Sequence, residues 1–164
     1  MDIVVRRAEA ADAPAACEAT RRSIAELCVD DHGGDPTTIA TWLSNKTVQN
    51  VESWIASPGL IAVVAEAPGA IVGFALMNTG GGLALLYVSP DARFQGASTA
   101  LLAFLEHEAT RLGLHEVRLE STVTARQFYT ARGYSPSGEP SLVFGRVTSY
   151  PMSKRLTPES VRTR

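Results

Sequence analysis

The sequence predicts an α/β fold in which a mixed, mostly antiparallel sheet of about seven strands is flanked by about four helices. Branched apolar runs at 60–65 and 70–76 are separated by the tripeptide APG at 67–69, which is typical of an antiparallel hairpin. An apolar run at 83–88 then leads into a helical pattern, and a second strand and helix follow. Strands that alternate with helices in this way form a sheet of mixed direction with helices on both faces.

Composition narrows the class of protein. The chain has 164 residues, 45% of them hydrophobic and 20% charged, which is ordinary for a globular protein with a real core. A formal net charge of −2 lacks the basic excess of a general nucleic-acid binder. No run is long enough to span a membrane, and the start of the chain does not resemble a secretory signal. We therefore expect a cytoplasmic protein with one domain over residues 1–155 and a flexible tail over 156–164.

The first helix is predicted from its start signal and its apolar stripe. It follows a weakly alternating strand at 3–7, begins at Asp12 and Pro14, and is expected to end before His32. Its buried stripe consists of Ala13, Cys17, Thr20, Ile24, Leu27 and Cys28. On one helix the two cysteines would lie roughly 16 Å apart, too far for a disulfide, so both are expected to be reduced.

Two shorter helical segments precede the hairpin. Asp35 and Pro36 repeat the start signal, and the pair Pro58-Gly59 ends the second segment. The apolar residues of the two segments are Ile39, Trp42, Leu43, Val48, Val51, Trp54 and Ile55, and both tryptophans are expected in the core.

The second half predicts two further helices and three further strands. The helix at 98–112 buries Leu101, Phe104, Leu105 and Leu112, and Gly113 ends it. A strand at 116–120 and a helix at 122–131 follow, and the last two strands are expected at 142–146 and 147–154.

The stretch 85–102 has the pattern of a phosphate-binding turn. An apolar strand meets small residues, Gly96, Ala97 and Ser98, where a helix begins. Backbone N–H groups at a helix start have no intrahelical acceptor and carry the positive end of the helix dipole. Small residues there let a phosphate approach these amides closely.

The hexad RFQGAS at 93–98 resembles the signature of the GNAT superfamily, the acyl-CoA-dependent N-acyltransferases. That signature is Gln or Arg, two residues, Gly, one residue, and Gly or Ala at a helix start after a strand. The segment ARQFYTARGY at 125–134 resembles the later helix motif of the same family, and the likeness covers 60–134. Ser98 replaces the usual Gly or Ala. Phe94 stands where many members have glycine, and either covers the cofactor or packs on the surface. Thr122 stands where asparagine is frequent.

The resemblance implies a GNAT-like fold that transfers an acetyl group from acetyl-CoA to a primary amine of a small molecule or protein. It implies donor contacts from Leu86, Tyr87, Val88, Arg93, Phe94, Gln95, Gly96, Ala97, Ser98, Thr99, Thr122 and Tyr129. The pyrophosphate would lie on the amides of residues 94–99, and the pantetheine arm would pair with the backbone of residues 86–88. It also allows a homodimer, which no feature of the sequence indicates.

Three residues are assigned catalytic roles through the resemblance. The Val88 amide stabilises the oxyanion. Tyr129 protonates the leaving thiolate, since a phenol with a pKa near 10 is protonated at neutral pH. Glu120, at the end of a strand, is the candidate base, and the cluster Asp30–His32 is a second candidate.

Other functions remain open at this stage. The chain can be a non-catalytic acyl-CoA-binding sensor or interaction module, or a nucleotide-binding α/β domain that uses the same turn. Three histidines and two cysteines at unrelated spacings predict no metal site. No cysteine lies in the site motifs, which favours direct attack by the amine over an acyl-enzyme. Arg21 and Arg22 are weak candidates for contact with an acidic acceptor.

Overall fold

Eight strands form a mostly antiparallel sheet in the computed structural model, which describes residues 2–157. They are β1 (Val4–Arg7), β2 (Leu60–Ala67), β3 (Ala70–Asn78), β4 (Gly82–Val88), β5 (Glu116–Ser121), β6 (Ser135–Pro136), β7 (Ser141–Val143) and β8 (Val147–Arg155). The order across the sheet is β1-β2-β3-β4-β5-β8-β6, and β7 also pairs with β8. Within the described residues only β4 and β5 are parallel. The predicted fold class is confirmed.

Six α-helices cover the sheet within the same residues. They are α1 (Ala13–Leu27), α2 (Val29–His32), α3 (Pro36–Leu43), α4 (Val48–Ala56), α5 (Ala97–Arg111) and α6 (Val123–Ala131). The central strands are continuously apolar because helices cover both of their faces. On one face α1 and α4 pack on Val64 and Phe74, and on the other α5 packs on Val63 and Met77.

The prediction of one helix up to His32 is wrong, because the chain breaks at Cys28. Cys28 has φ −92° and ψ 33°, outside the helical region, and α2 starts afresh at Val29. The break turns Asp31 and His32 inward, where they are 6% and 1% exposed. Leu27, predicted in the buried stripe, is only half-buried at this break.

Leu112 was predicted in the core stripe of α5 and is 44% exposed. It is the C-cap of the helix, and Gly113 follows with φ 81°. The Leu114 N–H donates to the Ala109 carbonyl oxygen at 3.0 Å, the hydrogen bond of a Schellman ending. Leu114 packs on the core in place of Leu112 because this motif turns the chain back over the last helical turn.

The predicted strand at 142–146 is too long, and β6 was not predicted. Phe144 and Gly145 have φ of 53° and 85°, so they form the turn between β7 and β8. Phe144 leaves the strand to stack on Trp42, with ring centroids 5.4 Å apart. The predicted tail begins at Leu156, whose N–H donates to the His115 carbonyl oxygen, and residues 158–164 lie outside the described residues.

Candidate functional site

The two parallel strands of the sheet separate along their length. β4 pairs with β5 only at Gly82 with Arg118 and at Leu83 with Leu119. From Ala84 to its end at Val88, β4 keeps its pairing with β3 alone. The sheet therefore has an opening between β4 and β5.

Backbone groups of Leu86 and Val88 face this opening. In an antiparallel pair, residues that exchange hydrogen bonds alternate with residues that do not. The Ser89 N–H donates to the Val72 carbonyl oxygen at 2.7 Å, so Ser89 is a residue that bonds to β3. Two positions back along β4, Tyr87 bonds to β3 as well, opposite Phe74. The amides and carbonyls of Leu86 and Val88 consequently point toward the side that β5 has left.

The first turn of α5 leaves its amides open. Gly96 is the N-cap, and the first helical bond runs from the Ala100 N–H to the Gly96 carbonyl oxygen at 3.0 Å. The N–H groups of Ala97, Ser98 and Thr99 have no acceptor in the part of the chain that the structure describes. A Cβ on Gly96 would meet nothing within 4 Å, but its φ of 85° requires glycine. The space above these amides is open to an anion.

Phe94 is an aromatic residue in an unfavourable backbone conformation. Its φ is 61°, in the left-handed region that favours glycine, and its side chain is 92% exposed. Of the two alternatives for Phe94, close packing on the surface does not fit this exposure, and cover of the cofactor stays a prediction. The Arg93 guanidinium carbon lies 4.6 Å from the centroid of its ring, and both side chains stand at the rim of the site.

A cavity of about 540 Å³ joins the opening in the sheet to the first turn of α5. Ten of the predicted donor contacts line it: Leu86, Tyr87, Val88, Arg93, Phe94, Gly96, Ser98, Thr99, Thr122 and Tyr129. Gln95 and Ala97 do not. Ala97 is 2% exposed and packs in the core beneath α5.

Tyr129 projects from α6 into the cavity and is 6% exposed. Its hydroxyl has no hydrogen-bond partner within residues 2–157. Its ring makes edge contacts with Phe128 and Tyr134, at centroid distances of 5.2 and 5.6 Å. Burial raises the pKa of the Tyr129 phenol above its usual value, so the hydroxyl keeps its proton.

Tyr87 also lines the cavity, but its side chain packs against residues outside it. Its ring packs in the cluster that contains Trp42, and the Trp42 side chain lies near its hydroxyl. Burial raises the pKa of the Tyr87 phenol, and the nearby Trp42 side chain opposes this rise in part. Of the two tyrosines at the cavity, Tyr129 is the one whose hydroxyl is not beside Trp42.

Glu120 lies at the opening but outside the main cavity. It is exposed on β5, and its Oε1 accepts a hydrogen bond from the Ser149 hydroxyl at 2.6 Å. A crevice of about 50 Å³ between β4 and β5 is lined by both Glu120 and Tyr129. The structure thus brings the predicted acid and base to one crevice.

The first turn of α6 differs from that of α5 because side chains close it. The Thr122 hydroxyl oxygen accepts from the Ala125 N–H at 3.1 Å. Asp31 accepts from the N–H groups of Val123 and Thr124. An incoming anion therefore finds free amides at α5 and none at α6. The Thr122 hydroxyl retains its own proton as a donor toward the cavity.

The cluster Asp30–His32 does not present a free base. Both Asp31 oxygens cap α6. The Gly34 N–H donates to His32 Nδ1 at 3.0 Å, so Nε2 carries the proton and donates to the Ile24 carbonyl oxygen at 3.0 Å. Asp30 is exposed and lines none of the cavities described above.

Arg21 and Arg22 are engaged within the chain. Arg21 donates to the carbonyl oxygens of Leu43 and Lys46, and Arg22 is paired with Glu26 and Asp91. Neither lines the cavity at the sheet opening.

Arg132 is a cavity residue that sequence reasoning missed. Its Nη2 donates to the Thr99 hydroxyl at 2.6 Å, and its guanidinium carbon lies 4.0 Å from the centroid of the Phe128 ring. No carboxylate within residues 2–157 pairs with it. The signal in the sequence was an arginine directly before Gly133, at the end of the helix that carries Tyr129.

Cys28 also lines the cavity, although no cysteine lies in the sequence motifs. It is 5% exposed, and burial together with the nearby Asp31 charge raises the pKa of its thiol to about 12. A thiol with this pKa is neutral at physiological pH and therefore a poor nucleophile.

The described residues contain no group of three or more His, Cys, Asp or Glu side chains arranged to hold a metal ion. Among the helices of residues 2–157, none combines the length and apolar character needed to cross a membrane.

Residues 22–156 match the family model of the acetyltransferase (GNAT) domain. The chain therefore belongs to the GNAT acetyltransferase family, and it is an acyltransferase of that class. The resemblance seen in its two sequence motifs is confirmed.

Solved structures share the fold. A GCN5-related N-acetyltransferase from Rhodopseudomonas palustris is 23% identical, with a TM-score of 0.84 and coverage of 95% of this chain and 97% of the other. The PaiA N-acetyltransferase from Thermoplasma acidophilum, in complex with coenzyme A, is 18% identical, with a TM-score of 0.80 and coverage of 94% and 99%. YncA from Salmonella typhimurium, with its cofactor acetyl-CoA, is 19% identical, with a TM-score of 0.72 and coverage of 96% and 95%. No curated protein matches the chain significantly.

Proposed function

We propose that this protein transfers an acetyl group from acetyl-CoA to a primary amine of a small molecule or protein by direct nucleophilic attack. The observation that carries the proposal is the single cavity that joins the open amides of α5, the free backbone edge of β4 and the Tyr129 hydroxyl. A phosphate site, a strand-like edge and a buried acid are the three features that acyl-CoA chemistry needs.

The donor site divides into two parts. The amides of Ala97, Ser98 and Thr99 bind the pyrophosphate, because they are unsatisfied and lie at the positive end of a 15-residue helix. Arg93 and Arg132 add positive charge at the rim. The pantetheine amides pair with the backbone of Leu86 and Val88 as an added strand does.

The chemical step uses groups at the opening. The amine lone pair attacks the thioester carbonyl carbon, and the Val88 N–H stabilises the oxyanion. The C–S bond then breaks, and the thiolate takes the Tyr129 hydroxyl proton. The ammonium proton passes to Glu120, directly or through water. A raised phenol pKa keeps Tyr129 protonated before the step.

Direct attack is favoured over a covalent acyl-enzyme. Cys28 is the one cysteine at the cavity among residues 2–157, and its pKa of about 12 keeps the thiol neutral. We also propose that residues 1–155 act as one domain in the cytoplasm.

The acceptor is best sought with a panel. Proteins of this fold include a ribosomal-protein-S18-alanine N-acetyltransferase from Escherichia coli and an aminoglycoside 6′-acetyltransferase. The panel therefore contains an alanine-initiated peptide, an aminoglycoside and n-butylamine, each incubated with acetyl-CoA while CoA release is followed with a thiol reagent.

Replacement of Tyr129 by phenylalanine tests the acid directly. We expect kcat to fall by about 10²-fold or more with little change in the Kd of CoA, since only the proton donor is removed. Tyr134→Phe is the matched control, because this buried tyrosine donates to Glu106 and lies outside the cavity.

Unchanged transfer by the Tyr129 variant would refute the acid assignment. If CoA bound tightly but no amine in the panel released it, the chain would be a non-catalytic acyl-CoA-binding module instead. Tight binding of ATP without binding of CoA would refute the donor site itself.

A further inference from the structure

Asp31 is a buried carboxylate that connects two walls of the cavity. It lies on α2, the single turn that follows the break at Cys28, and is 6% exposed. Leu27 and Cys28 line the cavity from this side, whereas Thr124 and Tyr129 line it from α6. Asp31 is the residue of α2 that bonds to α6.

Its contacts form an N-terminal cap supplied from 92 residues away in the chain. Oδ1 accepts from the Val123 N–H at 2.7 Å, and Oδ2 accepts from the Thr124 N–H at 3.3 Å and from the Thr124 hydroxyl. A carboxylate at this position also neutralises the positive end of the α6 dipole. The start of α6 is therefore fixed to α2 and not only to the preceding strand.

The turn that carries Asp31 is itself held in place. His32 is 1% exposed and bridges the Ile24 carbonyl oxygen of α1 and the Gly34 N–H beyond the turn. Asp31 is thus attached to α1 through a buried neighbour, and it transmits the position of α1 to α6.

The position of the Tyr129 hydroxyl depends on this attachment. The hydroxyl has no partner of its own within the described residues, and its ring contacts come from Phe128 and Tyr134. Phe128 belongs to α6 and moves with the helix, whereas Tyr134 follows the helix and its hydroxyl donates to Glu106 of α5 at 2.8 Å. One side of the Tyr129 ring therefore depends on the position of α6. Tyr129 lies six residues, about 9 Å, beyond Val123, so a tilt at the capped end displaces the hydroxyl.

We propose that Asp31 is a positioning residue for acetyl transfer, which holds α6 so that the Tyr129 hydroxyl stays aligned with the Val88 amide across the sheet opening. The proposal rests on the proposed function. It assigns to the α1–α2 wall a role in orienting the acid, in addition to lining the cavity.

The experiment compares Asp31→Asn with Asp35→Asn, each alone and combined with Tyr129→Phe. Asp35 is the matched control because it caps α3 through Thr38, with bonds of 2.9 and 2.7 Å, and α3 does not line the cavity. The assay is CoA release from acetyl-CoA with n-butylamine as the probe amine. Hydrogen exchange of the α6 amides is measured on the same proteins. If the asparagine variant does not fold, both measurements are repeated with Asp31→Ala.

We expect D31N to lower kcat about tenfold, with the Kd of CoA within twofold of wild type. In the Y129F background the same change should have less than about a twofold effect, because the group it positions is gone. The α6 amides should exchange faster in D31N alone. D35N should lower stability and leave kcat and α6 exchange unchanged.

The proposal would be overturned if D31N lowered kcat by the same factor in the wild-type and Y129F backgrounds. It would also be overturned if D35N lowered kcat as much as D31N does. Unchanged α6 exchange in the Asp31 variants would overturn it whatever the activity. If wild type transferred no acetyl group, the proposed function would fail. Faster hydrogen exchange of the α6 amides in the Asp31 variants alone would then still support the positioning of Tyr129.

Discussion

Arg132 carries a positive charge that no carboxylate in the described part of the chain neutralises. Its bond to Thr99 holds it beside the first turn of α5, which already carries the positive end of a dipole. Two positive features at one place repel each other unless an anion lies between them. The arrangement is therefore suited to a ligand with several phosphate charges, such as CoA.

Arg132→Gln should raise the Kd of CoA about tenfold, since a hydrogen bond to a charged group contributes about 1.5–3 kcal/mol. Pantetheine, which lacks these phosphates, should bind equally to both proteins. Calorimetry checks this, and Arg126→Gln is the control because Arg126 stacks on Tyr150 of β8 at 4.2 Å and does not line the cavity. Equal weakening of both ligands would contradict the assignment.

The rate at which the Cys28 thiol reacts is expected to depend strongly on pH. With a thiol pKa of about 12, Cys28 is almost entirely neutral at pH 8, whereas roughly a quarter of an ordinary thiol is ionised there. Iodoacetamide should therefore label it at least 100-fold more slowly than an exposed cysteine at pH 8, and labelling should accelerate toward pH 11.

Mass spectrometry of the labelled peptide measures this rate, and Ser44→Cys supplies the exposed reference thiol. Rapid labelling of Cys28 at pH 8, or an acetyl group on Cys28 after incubation with acetyl-CoA, would contradict the direct mechanism.

At the scale of residues, motifs in the sequence predicted the backbone cradle and Tyr129. Arg132 and Cys28 were missed, and Asp31 was expected only as part of a candidate base cluster, not as a cap of α6. The motif residues act through local structure, a strand followed by a helix start, which is readable from a few neighbours. The missed residues reach the site only through tertiary contacts. Asp31 bonds across 92 positions, and Arg132 contacts Thr99 across 33.

At the scale of elements, the two helices beside the cavity differ at their N-termini, because one is capped by side chains and the other is open. Asp31 and Thr122 close the first turn of α6, and nothing in the described chain closes that of α5. Sequence patterns predicted both helices, yet they could not predict this difference, because the break at Cys28 that delivers Asp31 interrupts an otherwise regular apolar stripe.

The position of α5 on the sheet depends on a close contact at Gly73 of β3. A Cβ there would meet Leu101 Cδ1 of α5 at 3.0 Å and the Tyr87 carbonyl oxygen of β4 at 3.3 Å. Gly73→Ala should therefore push α5 away from β4, lower the free energy of unfolding by about 1–3 kcal/mol and weaken CoA binding.

Urea denaturation and calorimetry check both effects. Gly59→Ala is the control, because its Cβ would meet only the Ser57 hydroxyl at 4.0 Å. Full stability and full CoA affinity in Gly73→Ala would show that α5 does not need this contact.

At the scale of the whole molecule, the opening between β4 and β5 connects the two faces of the sheet. The α5 and α6 side supplies the open amides of α5 and Tyr129, and the α1 side supplies Leu27 and Cys28. The fold class followed from strand and helix patterns. The separation of β4 from β5 did not, since apolar residues continue along β4 whether or not it is paired.

A crystal structure of this protein with acetyl-CoA tests the central claim most directly. We expect the pyrophosphate on the amides of Ala97, Ser98 and Thr99, the thioester oxygen within hydrogen-bond distance of the Val88 N–H, and the sulfur beside the Tyr129 hydroxyl. A pyrophosphate bound elsewhere, or a thioester out of reach of both groups, would contradict the account.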